Sequence, residues 1–281
     1  MVQRMYEIAG VRLRVSIPEE WMYSEDGALS EFVTDSDRWD RTLSMQVVDC
    51  LSDPEGDLVF QTPGKRIYRL DDGQIRYEGV VAKSLNGAYL RIERRGNDST
   101  VQVLKSAIIC GITPKLVLKA MEAEHLICDA GGFLLHASWI DVGGKGILFT
   151  GPSGVGKSTQ ADLWNRYRGA EILNGDRAAV FGDHARGIPF RGSSGVGLNR
   201  KTKLAAIVYL TQAADTSLQR LTGARAFRRL WEGCSVNIWN SVDMEKTTAA
   251  VMDTLTSVPV YHLACRKDLT AIEALEKEGI V

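Results

Sequence analysis

The chain has 281 residues, 44% of them hydrophobic and 25% charged, with a formal net charge of −1 at pH 7. These values fit one large or two modest globular domains and exclude a chain kept unfolded by its own charge. With no global pull toward polyanions, no apolar run of about 18 residues and no basic-plus-apolar leader, the expectation is a cytoplasmic protein with neither nucleic-acid nor membrane partners. Cys50, Cys110, Cys128, Cys234 and Cys265 lie far apart with no C-x-x-C spacing, so buried thiols are expected rather than disulfides or a zinc site.

Residues 1–112 read as a β-rich N-terminal domain. Short alternating runs at 5–8, 11–17, 43–48, 65–70, 74–82, 89–93 and 100–104 are separated by turn signals such as Asp71-Asp72-Gly73 and Asn86-Gly87. Residues 1–60 carry 13 acidic and 5 basic side chains, a solvated acidic surface or a docking face for a basic partner. No catalytic cluster stands out there. Thr113-Pro114 then has the form of a helix cap and first turn, and a linking helix is expected over 113–130, ended by Gly131-Gly132.

The signals change from residue 131. Phe133–Val142 and Gly146–Thr150 are apolar runs around Gly143-Gly144-Lys145, the pattern of an antiparallel hairpin. The second run leads directly into Gly151-Pro152-Ser153-Gly154-Val155-Gly156-Lys157-Ser158-Thr159, which is G-x-x-x-x-G-K-[ST] in a strand-to-helix setting. Glycines there let the backbone curl so that N–H groups point at phosphate oxygens, and the helix N-terminus faces the same anion. Residues 153–159 (Ser153, Gly154, Val155, Gly156, Lys157, Ser158 and Thr159) are therefore the expected nucleotide-binding stretch. Lys157 is placed to reach the β- and γ-phosphates, and the Ser158 hydroxyl to ligate Mg²⁺.

Strands are also expected at 170–173, 178–181, 187–190, 204–210 and 258–264, with helices over 223–257 and 269–277. Asp176 follows Lys157 by 19 residues, at the end of the next expected strand, where a carboxylate can bind Mg²⁺ or accept a proton. A plain turn or capping role is the alternative. His136 lies on the strand expected to pair beside the loop, within reach of the transferred phosphoryl group or the acceptor hydroxyl; a satisfied core histidine is the alternative. His125, His184 and His262 are expected to be structural or surface residues. Residues 184–229 hold nine basic side chains and one acid. Among the basic residues Arg191, in the glycine-rich Phe190-Arg191-Gly192-Ser193-Ser194-Gly195, is the first candidate to hold an acceptor.

Leu135-His136, the strand pair, the loop at 151–159 and Asn174-Gly175-Asp176-Arg177 form an ordered set that resembles the catalytic domain of HPr kinase/phosphorylase and the related PEP carboxykinases. The likeness covers about residues 130–280 and does not extend to the N-terminal part. It implies an α/β fold: an HPr kinase/PEP carboxykinase-like P-loop domain with a mixed sheet over 131–281, preceded by the small β-rich domain. Within that family the chain is most similar to the lasso peptide kinases, which phosphorylate the C-terminal serine of a precursor peptide. The implied activity is γ-phosphoryl transfer from ATP, with Mg²⁺, to a serine hydroxyl. Lys157, His136 and Asp176 would be catalytic, Ser158 and Asp176 would hold the metal, and Arg191 would bind the substrate. HPr kinases carry an Asp-Asp pair where this chain has Gly175-Asp176, so the division between metal ligand and general base stays open between His136 and Asp176. A kinase of HPr or of a small hydroxylated metabolite, and a nucleotide-binding regulator without transfer activity, are the alternatives; homo-oligomeric assembly is left open.

Overall fold

A computed structural model describes residues 1–19, 27–79, 87–109 and 116–281, apart from the side chains of residues 109 and 193. The chain divides into two compact units, Met1–Glu122 and Ala123–Val281.

The first unit is built on an eight-stranded sheet of β1 (Val2–Ile8), β2 (Val11–Ile17), β3 (Arg41–Val48), β4 (Asp57–Thr62), β5 (Lys65–Arg69), β6 (Gly73–Gly79), β7 (Ala88–Arg95) and β8 (Asp98–Leu104). Their order is β1-β2-β3-β8-β7-β6-β5-β4, and β2–β3 and β3–β8 are parallel within an otherwise antiparallel sheet. The alternating sequence of β2, Val-Arg-Leu-Arg-Val-Ser-Ile, produces alternating burial, with Val11, Leu13, Val15 and Ile17 facing inward. β4 has no counterpart among the expected strands. It is an exposed edge paired on one side only, with β5, and carries little of the burial pattern that would mark it. Two short helices follow, α1 (Lys105–Ile109) and α2 (Leu116–Ala120).

The linking helix expected over 113–130 is interrupted. α2 ends at Ala120, and α3 (Ala123–Asp129) starts in the second unit. Between them Glu122 adopts φ +46°, outside helical space, while its buried carboxylate accepts hydrogen bonds from Gln74 (2.6 Å) and Arg94 (3.2 Å). Tertiary pairing of Glu122 overrides a stretch of good local helix propensity. The Thr113-Pro114 cap lies outside the described residues.

The second unit contains β9 (Phe133–Val142), β10 (Lys145–Thr150), α4 (Lys157–Arg168), β11 (Glu171–Asn174), β12 (Arg177–Phe181), β13 (His184–Arg186), β14 (Lys201–Gln212), β15 (Ser217–Leu221), α5 (Gly223–Gly233), β16 (Cys234–Ser235), α6 (Ser241–Ser257), β17 (Val260–Cys265) and α7 (Thr270–Lys277). Strands β10-β9-β12-β13-β14 are successive neighbours, and β14 pairs again with β10, so these five close a hydrogen-bonded ring. The β9–β10 pair is the antiparallel hairpin expected from sequence, whereas β10–β14 and β14–β17 are parallel. This is an α/β unit with a mixed sheet.

Central strands buried on both faces read as continuous apolar runs, and β9, β10 and β14 do so because helices cover each side. Trp139, Leu148 and Ile207 pack with Ala226 and Leu230 of α5 and Val251 of α6. Ile147, Phe149 and Val208 pack with Ala161 and Trp164 of α4 and Ile272 and Leu275 of α7. The strand expected at 187–190 is instead β13 at 184–186. Regular pairing with β14 ends at Arg186; Gly187 N still donates to Arg200 O at 2.8 Å, and the glycine permits a close approach to Leu198 O that a Cβ would block. The four cysteines among the described residues are free thiols; Cys128 and Cys265 are buried and Cys234 half-buried, but Cys50 is exposed, against expectation.

Candidate active site

β10 delivers the chain into the 151–156 loop at the C-terminal edge of the parallel strands, and α4 carries it away. Gly154 and Gly156 adopt φ +76° and +112°, conformations that a side chain would strain, and Gly156 caps the N-terminus of α4. Two anchors fix the helix. Trp164 is fully buried among Phe149, Ala161 and Leu210, and Gly169 ends α4 in a left-handed turn in which Gly169 N donates to Asn165 O and Ala170 N to Trp164 O. The loop is held from the neighbouring strand as well: Gln212 Nε2 donates to Gly154 O and Val155 O at 3.3 and 3.4 Å.

Lys157 is only 7% exposed. Its Nζ turns back on the loop and donates to the carbonyls of Gly151 (3.1 Å) and Pro152 (3.2 Å). Burial lowers its pKa, and the charge of Asp176 opposes that shift. Val155 is half-buried against the α4 face of the core, while Ser153, Gly154 and Ser158 are exposed and Thr159 is half-buried.

His136 and Asp176 are brought together by sheet register. β12 pairs with β9 so that Arg177 lies opposite His136, and Ala137 N donates to Asp176 O at 3.0 Å. Fully buried Asn174 builds the turn that presents Asp176: its Oδ1 accepts from the backbone N–H of Asp176 (2.9 Å) and Arg177 (3.0 Å), and its Nδ2 donates to Ile188 O. His136 Nε2 then lies 3.5 Å from Asp176 Oδ1. Burial and the charge of Lys157 lower the His136 pKa, Asp176 works in the opposite direction, and the net shift is downward from 6.5. His136, Asp176 and Lys157 thus lie within electrostatic reach of one another.

A basic residue not singled out from the sequence, Arg177, lies at this carboxylate. Arg177 Nε lies 3.5 Å from Asp176 Oδ2, while its Nη1 donates to Glu124 (3.4 Å) and Ser235 (3.3 Å). The Asn174-Gly175-Asp176-Arg177 string is visible in the sequence, but nothing in it ranks Arg177 above the nine basic residues further on. Arg191 sits on a loop that touches Asp176 through its neighbour, since a Cβ at Gly192 would meet Asp176 Cβ at 2.6 Å; its own side chain packs against Gly197. The same loop occupies the space beside Gly175. A Cβ at 175 would come 2.1 Å from Ser194 Oγ and 2.4 Å from Ser194 Cβ, so this loop position excludes a second acid there.

Exposed Ser158 and partly exposed Asp176 offer oxygen donors, which suit Mg²⁺, a cation that needs few protein ligands when phosphates supply the rest. Two of the remaining histidines make ordinary contacts: His184 with Asp183 at 2.5 Å and His262 with Thr211 at 2.8 Å.

No protein-family model and no curated protein matches the sequence. Among solved structures the chain is similar to the HPr(Ser) kinase/phosphatase from Coxiella burnetii, at 12% identity and a TM-score of 0.26, over 52% of this chain and 99% of that one. A likeness that loose assigns neither a fold family nor an activity, and the chemistry rests on the geometry above.

Proposed function

We propose that this chain is an ATP- and Mg²⁺-dependent kinase that transfers the γ-phosphoryl group to a serine hydroxyl of a polypeptide. The observation that carries the reading is the convergence of His136, Asp176 and Lys157 at a glycine-bearing strand-to-helix loop. Backbone N–H groups of residues 154–159 bind the phosphates, and Lys157 exchanges its two carbonyl partners for β- and γ-phosphate oxygens. As the serine Oγ bonds to Pγ and the bond from Pγ to the bridging oxygen of ADP breaks, the hydroxyl proton passes to the His136–Asp176 pair. At 3.5 Å the Asp176 carboxylate favours the protonated imidazole electrostatically, and the lowered pKa keeps His136 neutral before transfer. Arg177 steadies the far carboxylate oxygen of Asp176. Mg²⁺, held by Ser158 and Asp176, would offset the charge on the triphosphate.

The acceptor we favour is the C-terminal serine of a lasso precursor peptide, on the resemblance of the 131–281 motifs; Arg191 and its loop, packed on Asp176, would receive it. HPr is the rival acceptor, on the likeness of the same motifs to HPr kinase. The test is mass spectrometry of a serine-ending precursor peptide and of HPr, each incubated with the protein, ATP and Mg²⁺, with Lys157→Ala as control. A phosphoryl gain on the terminal serine supports the full reading, and a gain on HPr alone moves the acceptor. Nucleotide binding without transfer to either, or full transfer by folded Lys157→Ala, overturns the kinase.

A further inference from the structure

Away from the phosphate loop, three side chains of different ligand type converge inside the second unit. His125 and Cys128 are one turn apart on α3 and so share a face. Asp243 stands in the first turn of α6, where Asn240 caps the helix by accepting from the Val242 and Asp243 N–H groups. All three residues are buried, and a ring nitrogen, a thiol sulfur and a carboxylate oxygen lie within 4.8 Å of one another. His125 Nδ1 is 2.8 Å from Asp243 Oδ1. The other carboxylate oxygen is held by buried Asn237, whose Nδ2 donates at 2.8 Å.

We propose that His125, Cys128 and Asp243 bind a divalent cation of the zinc class, tying α3 to α6, with water in the fourth position. A nitrogen, sulfur and oxygen set is the donor chemistry zinc takes, and the thiol disfavours Mg²⁺ and Ca²⁺. Asn237 supplies the outer hydrogen bond that orients a ligating carboxylate. The competing reading is a hydrogen-bonded His125–Asp243 pair, with Cys128 Sγ donating to the His125 carbonyl at 3.4 Å. That reading satisfies each group in turn, whereas a cation accounts for three different donor atoms meeting within 4.8 Å. A ligating thiol binds as the thiolate, so binding must displace the Cys128 proton to solvent, and affinity falls with decreasing pH. The neighbouring residue Glu124 accepts from Arg177, so the helix proposed to hold the cation also carries a partner of the guanidinium that lies beside Asp176.

The test uses the full chain, purified without chelator, analysed for zinc and then loaded with Co²⁺. About one zinc per chain is expected, and the cobalt form should show a thiolate-to-metal charge-transfer band in the near ultraviolet. No cysteine stands in the proposed Mg²⁺ site, so the band separates the two sites. It should vanish in Cys128→Ser, persist in Cys234→Ser and Lys157→Ala, and require about 10- to 100-fold more Co²⁺ in Asn237→Ala. Should Cys128→Ser not fold, the Asn237→Ala titration decides. Absence of the band, its survival in Cys128→Ser, or an unchanged affinity in Asn237→Ala overturns the proposal.

Discussion

Charged side chains are used in opposite ways in the first unit and at the 151–159 loop of the second. In the first, Glu78 is nearly buried and surrounded: Arg76 contacts it closely, Lys119 donates at 2.9 Å and Lys65 lies 4.0 Å away. Burial works against its carboxylate, but Arg76 and Lys119 outweigh that and hold its pKa below the ordinary value. Glu122 is closed off in the same manner by Gln74 and Arg94. In the second unit the contacts of Asp176 to His136 and Arg177 are both 3.5 Å, and Lys157 is held by neutral carbonyls alone. Tight, saturated pairs serve architecture. The looser contacts beside the glycine-lined loop are what the proposed phosphate site requires.

The largest effect should come from breaking a saturated pair. Arg94→Met leaves the Glu122 carboxylate buried with only Gln74, and the first unit should lose about 3–5 kcal/mol in denaturant unfolding; a loss near zero would show that this pair is not structural. On the catalytic side Lys157→Ala should lower phosphoryl transfer by about 10²–10³-fold while unfolding at the same denaturant midpoint. A smaller effect is expected at the crowded turn. Gly175→Ala should cost about 1–3 kcal/mol, because the new Cβ drives Ser194 away and lifts the 191–195 loop from Asp176. Ser194→Gly should recover most of that loss in the double variant; additive losses would mean the two positions are not coupled.

The mildest expectation concerns pH. The His136 pKa is lowered, so the imidazole stays neutral further into acid than an ordinary histidine, and the acid limb of kcat/KM should fall below pH 6.5. The same shift makes the unfolded chain the stronger proton binder, so this group's contribution to stability is present above 6.5 and is lost as pH drops through the folded value. An acid limb above 6.5, unmoved in His136→Gln, would remove the histidine from the base.

Local features of the second unit are legible in the sequence because their causes are local. The loop motif, its apolar strand and the Gly169 stop all lie within a few residues of what they determine. The proximity of His136 to Asp176 is inferable, but its distance depends on the Arg177↔His136 register, and no short window specifies that. Three features escape for one reason. The break at Glu122, the crowding of Gly175 by Ser194 and the meeting of His125 and Cys128 with Asp243 each depend on residues far apart in sequence. Cysteine spacing in particular carries no signal for the proposed zinc-class site, because two of its three ligands are not cysteines.

The closed ring of strands has a consequence for the order of assembly. β10 leads into the 151–156 loop, but its parallel partner β14 ends only at Gln212, and the ring shuts only when that strand arrives. A nascent chain stopped at residue 200 would contain the whole loop motif, His136 and Asp176, yet lack the strand that braces the loop through Gln212. Non-local closure of this kind slows folding. The proposed grip on a triphosphate should therefore appear late and abruptly during synthesis, as a property of the completed hoop and not of the motif within it.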